Sequence, residues 1–151
     1  MIDTASEREL VTISPLRLIG ILVMVAGVIL AATGLFTWFN VQHHLRSEQI
    51  TVSADANHFG GQAVDGPFTA YEQAITIQHH ELDATGGLTY AQLGRDDPLR
   101  QTAMTASFLR ASLFTSVVAF GVAAMAVGVG VVLILIGWAL ARLSDRLGLV
   151  S

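Results

Sequence analysis

The sequence predicts a membrane protein, mainly α: a two-helix transmembrane hairpin with a small α domain, carrying a short β element, between the spans. Three observations predict it. Only 13% of the 151 residues are charged and 52% are hydrophobic, against about 25% charge in an ordinary soluble domain. The apolar residues gather into two blocks without a single charge, residues 18–39 and 113–140. At about 1.5 Å per residue these reach about 33 Å and about 42 Å, enough to cross a hydrocarbon core of about 30 Å.

The first block reads as an uncleaved signal anchor. A cleaved leader has an apolar core of about 7–15 residues ending at small residues. Here Ala31-Ala32-Thr33 runs on into Gly34-Leu35-Phe36-Thr37-Trp38-Phe39, with Trp38 suited to the interfacial aromatic belt. The expected organisation is a cytoplasmic N-terminal segment 1–17, span 18–39, an extracytoplasmic domain 40–110, span 111–141 and a cytoplasmic tail 142–151. Arg17, Arg142 and Arg146 beside the spans favour this orientation over its inverse. The plasma membrane is the expected location.

Between the spans, Ile50-Thr51-Val52-Ser53 alternates at strand period, and Asp65-Gly66-Pro67 is a turn. It precedes a helix with Phe68, Tyr71, Ile75, His79 and Leu82 on one face. Gly86-Gly87 should end that helix, because a residue without Cβ accepts the left-handed cap. Asp97-Pro98 reads as N-cap and first position of another helix. No breaker follows before the membrane, so this helix, carrying Leu99, Met104 and Phe108, should run into the second span. This connecting segment holds four arginines against eight acidic residues. About 70 residues bury little core alone, which points to support from the protruding helix or another protein.

Small residues inside the spans recur at spacings of four and three, one face of a helix. In the first span they are Gly20, Gly27, Ala31 and Gly34. In the second they are Ser112, Ser116, Ala119, Ala123, Ala126, Gly130 and Gly137, interrupted by Leu133. Helices in lipid associate through close backbone approach and interhelical hydrogen bonds, and small residues allow both. The stripes could serve each other within the chain or serve a partner. These eleven positions are the expected helix-packing and partner-interface residues.

Little points to chemistry. The chain has no cysteine, which removes disulfides and thiolate metal sites, and no lysine; its eight arginines are scattered, so no basic run suits nucleic acid. Among five histidines, the doublets His43-His44 and His79-His80 diverge by about 100° on a helix rather than converging on a metal. His44 with Glu48 and His79 with Asp83 do have helical spacing. An oxygenase iron held by His79, His80 and Asp83 is therefore one alternative to a non-catalytic accessory chain, and a self-associating structural membrane protein is the other. No charge lies within a span, so the usual mark of a proton or substrate pathway is missing. No cofactor and no metal are expected.

The blocks Val64-Asp65-Gly66-Pro67-Phe68-Thr69-Ala70-Tyr71, Ile77-Gln78-His79-His80-Glu81-Leu82 and Thr89-Tyr90-Ala91-Gln92-Leu93 resemble a family of small actinobacterial membrane proteins. So, above all, does the stretch from Ser107-Phe108-Leu109-Arg110 through Ser112-Leu113-Phe114 and Ser116 to Ala119-Phe120-Gly121. The resemblance covers most of residues 15–141. Members often carry an automatic label as aromatic ring-opening dioxygenases, yet that chemistry needs three iron ligands around a closed pocket, and no such set is recognisable here. Within the family the chain is similar to the accessory subunits, of the lipid uptake coordinator B type, that accompany mycobacterial Mce lipid-import transporters. The resemblance implies permease subunits of a lipid transporter and membrane lipid as partners, and an extracytoplasmic connecting domain.

Overall fold

The computed structural model describes residues 15–146, so most of the expected N-terminal segment and the last residues of the tail lie outside the described residues. Three α-helices account for most of it: α1, Pro15–Ser47; α2, Pro67–Ala84; and α3, Arg100–Arg146. Pro15 can head α1 because a first-turn residue needs no N–H partner. No proline or glycine pair interrupts the 47 residues of α3. Both α1 and α3 are long and apolar enough to cross a membrane, with mean hydropathies of 2.6 and 2.7 over their most apolar windows. Only 17% of each window is buried. A core helix of a water-soluble domain would hide most of such a surface, so these exposed apolar faces suit lipid or another apolar partner better than water.

The chain forms two compact units. One holds α1 up to Ala32 together with α3 from Ala126; the other is Thr33–Met125. The first is a bare pair of helices. The second has a core of Leu45, Val52, Val64, Ala70, Ala74, Leu113 and Phe120, with Trp38, Val41, Ile77 and Phe114 packed around it. Trp38 meets Phe120 edge-on at 4.7 Å between ring centroids, a favoured aromatic geometry.

Each connection in the second unit has a local cause. At the end of α1, Ser47 Oγ donates to the His44 carbonyl, and Gln49 adopts a left-handed φ of 53°. Thr69 Oγ1 accepts from the N–H groups of Asp65 and Gly66, both at 3.2 Å, which holds the turn before Pro67. α2 ends where Gly86 and Gly87 take φ of 65° and 87° and Gly87 N–H closes on the Leu82 carbonyl at 2.7 Å, as a left-handed cap requires. Arg100 stacks over the Tyr90 ring at 4.2 Å and donates to the carbonyls of Tyr90 and Leu93, pinning the loop before α3.

Three expectations are corrected. The short β element is not a strand: among the described residues, the only pairing is an isolated antiparallel bridge between Thr51 and Ala63. Val52 is buried as the alternation implies, and Val64 opposite is buried too, but the opposing stretch turns into α2 after three residues and no ladder can grow. The face of α2 is rotated from the expected one. Ala70, Gln73, Ala74 and Glu81 point inward, whereas Phe68 and Tyr71 are 75% and 50% exposed. Small side chains let α2 approach its neighbours closely, and two polar residues find internal partners. Finally, α3 begins at Arg100; Asp97 still caps, its Oδ1 accepting from Leu99 N–H at 2.8 Å.

Candidate docking surface on the helix pair

The stripe of small residues divides into two parts with different surroundings. In the bare helix pair the glycines face each other. A Cβ on Gly27 would lie 2.6 Å from the Gly130 carbonyl oxygen, and one on Gly130 would lie 2.6 Å from the Gly27 carbonyl oxygen. Seven residues away the motif repeats: a Cβ on Gly20 would fall 2.8 Å from the Gly137 oxygen, and the reciprocal distance is 2.5 Å. Each glycine thus aims a Cα hydrogen at the opposing carbonyl, a contact that only such close backbones make. Ala31 joins this seam, its backbone N 2.7 Å and its Cβ 2.8 Å from where a Gly130 Cβ would be. Ala126 is half-buried there.

In the second unit Gly34 and Ala123, a further seven residues along each helix, are buried. Beyond them the stripe opens. Ser112, Ser116 and Ala119 line a cleft of about 650 Å³ between α1 and α3, walled by Val41, Leu45 and Leu113 and roofed by Gln73 and Ile77 of α2. Two of its hydroxyls are already engaged: Ser116 Oγ donates to the Ser112 carbonyl at 3.2 Å, and Thr115 Oγ1 to the Ala111 carbonyl at 2.7 Å. The cleft therefore offers mainly apolar walls and spare acceptor lone pairs, with His44 and Glu48 at its edge.

Above the cleft a buried ion pair locks α2 to α3. Arg110 Nη1 donates to Glu81 Oε2 at 3.3 Å, and the Glu81 side chain is only 2% exposed. Arg110 Nε is buried and has no hydrogen-bond partner among the described residues. A second interior contact joins Ser53 N–H to Gln73 Oε1 at 2.8 Å. A further cavity of about 530 Å³ lies between α2 and α3, with Glu81, Thr102 and Thr105 in its wall. Ile77 and Leu109 separate it from the first.

None of these polar contacts was expected from the sequence. Glu81 and Arg110 are 29 positions apart and belong to different elements; the one hint is that each interrupts an otherwise apolar helical face.

The histidines do not assemble a metal centre. His80 Nε2 lies 2.5 Å from Asp55 Oδ2; that hydrogen bond, with a smaller contribution from a backbone bond and from the imidazole charge, holds the Asp55 carboxyl below the usual aspartate range. His58 sits 3.7 Å from Glu72, the His43 and His44 rings lie edge to face with centroids 6.3 Å apart, and His79 faces outward. Among the described residues no three histidine or carboxylate side chains converge on one point. His79, His80 and Asp83, the triad weighed for iron, are not brought together.

The described chain is thus an all-helical protein with two helices able to cross a membrane. No protein family, no characterised protein and no solved structure matches it.

Proposed function

We propose that the chain is a non-catalytic accessory subunit of a larger cell-envelope membrane complex, an Mce-type lipid importer in keeping with the sequence resemblance. It docks by receiving a partner's transmembrane helix in the cleft at Ser112, Ser116 and Ala119. The single observation that supports this is the division of the small-residue stripe: its glycine half is occupied inside the chain, whereas its serine and alanine half borders open space. Small residues gain nothing in lipid unless another backbone comes close. Residues 40–110 lie outside the cytoplasm in this reading and the termini inside.

Copurification after gentle detergent extraction tests it. The wild-type chain and a Gly128→Leu control, altered where a Cβ meets open space, should carry permease subunits with them. Ser116→Leu and Ala119→Leu should lose them while keeping the helix pair folded. Recovery of the wild type only as a free monomer, from cells whose importer is intact, would refute the proposal.

A further inference from the structure

Two aromatic side chains in the first five residues of α2 face away from the interior of the domain that carries them. Phe68 is 75% exposed and Tyr71 50%, and helical spacing of three places them on one edge. The geometry points to a bilayer interface as the partner of this edge: Phe68 and Tyr71 rest among the lipid headgroups and hold α2 down against the membrane.

The position of the edge carries the argument. The Tyr71 ring meets the Phe114 ring at 5.9 Å, edge to face. Phe114 begins a face of α3 that continues through Val118, Val122 and Met125, spaced like a helical stripe and all three exposed. This is the kind of surface a span turns to lipid, and the α2 edge prolongs it without a break. From Phe120, which packs on Trp38, Phe114 is six residues further out, about 9 Å along the helix. If Trp38 marks the hydrocarbon boundary, the headgroup layer adds about 5–8 Å, and an aromatic side chain spans the remainder.

The tilt of α2 agrees. Between its contacts Tyr71 to Phe114 and Glu81 to Arg110, α2 advances ten residues, about 15 Å, while α3 advances four, about 6 Å. α2 therefore crosses α3 steeply, and its first turn is the end nearest the span. That turn is fixed by a second tether, Arg46 Nε and Nη2 donating to Asp65 Oδ2 at 3.1 and 2.9 Å. Tyrosine and phenylalanine suit such a depth, where ring and headgroup meet. The inference rests on α1 and α3 crossing a bilayer and is independent of any partner subunit.

The absence of cysteine makes the test direct. Full-length Phe68→Cys, Tyr71→Cys, Val122→Cys and Arg95→Cys variants are labelled with an environment-sensitive fluorophore and reconstituted in phosphatidylcholine vesicles. Nitroxide lipids and aqueous iodide then serve as quenchers. Labels at 68 and 71 should be quenched by shallow nitroxide lipid several-fold more than the label at 95, and by iodide several-fold less. Quenching at 68 and 71 by iodide to the level seen at 95 would overturn the inference, and so would shielding from both quenchers, which would mean a protein cover. The label at 122 separates the two readings: if it too escapes nitroxide lipid, the spans themselves are misassigned, whereas quenching there alone condemns only the headgroup contact.

Discussion

Gly27 and Gly130 approach so closely that a Cβ on either would stand 2.6 Å from the other's carbonyl oxygen. No rotamer change relieves such a contact, because the obstructing atom is backbone. Gly130→Ala should destabilise the hairpin by about 1–3 kcal/mol, the usual cost of forcing extra carbon into a packed contact. Gly128→Ala, facing open space, should instead gain about 0.5–1 kcal/mol from reduced backbone freedom. Unfolding in mixed detergent micelles measures both, and equal effects at 128 and 130 would disprove the seam.

The Glu81–Arg110 pair predicts an asymmetry between single and double substitutions. Glu81→Leu alone strands a guanidinium and Arg110→Met alone strands a carboxylate, and each should cost about 3 kcal/mol, the low end for a buried pair because Arg110 keeps some contact with water. Together they should restore most of the loss, since an apolar pair of similar volume is often neutral. A double-mutant cycle by chemical denaturation reads the coupling; additive losses would argue against a buried pair.

Asp55 titrates below its usual range because His80 donates to it. A carboxyl whose folded-state pKa lies under its unfolded value adds stability that is complete above the ordinary aspartate value of about 3.9 and disappears as pH falls through the lowered folded value. The effect is thus confined to acid, and neutral-pH stability should not depend on pH through this group. His80→Ala should move the Asp55 carboxyl back up toward its ordinary value in a carbon-detected NMR titration. An unshifted Asp55 in the wild-type protein would contradict the contact.

Gln73 supplies the acceptor for Ser53 N–H. Gln73→Leu keeps the volume and removes the acceptor, so the cost should be about 1–3 kcal/mol, with faster amide exchange at Ser53 as the local signature. Unchanged exchange there would mean that the side chain does not reach the loop.

Features that depend on composition or on neighbouring residues were legible in the sequence. The uncharged blocks announce α1 and α3, Pro67 and Gly86-Gly87 bracket α2, and Asp97 marks the approach to α3. What depends on partners distant in sequence was not. The outward face of α2 is its more hydrophobic one, so periodicity alone selects Phe68 and Tyr71 over Ala70 and Ala74, although the small residues are those that fit against a neighbour. Ile50 to Ser53 alternates as a strand does, but pairing needs an equally long opposite segment, and α2 consumes it. The stripe spacing places Gly27 and Ser116 on packing faces alike; only three dimensions separate the one against a helix from the one beside a cleft.

The glycine contacts of the bare helix pair also act as notches. A slip of one helical turn that draws the helices past each other would bring Gly27 level with Ala126 and Gly130 level with Val23, replacing hydrogens with side chains at the tightest points. The pair consequently has a single axial setting, reproduced at two places seven residues apart, and behaves there as a ruler rather than a sliding joint. Whatever grips one of its helices finds the other at a predetermined height.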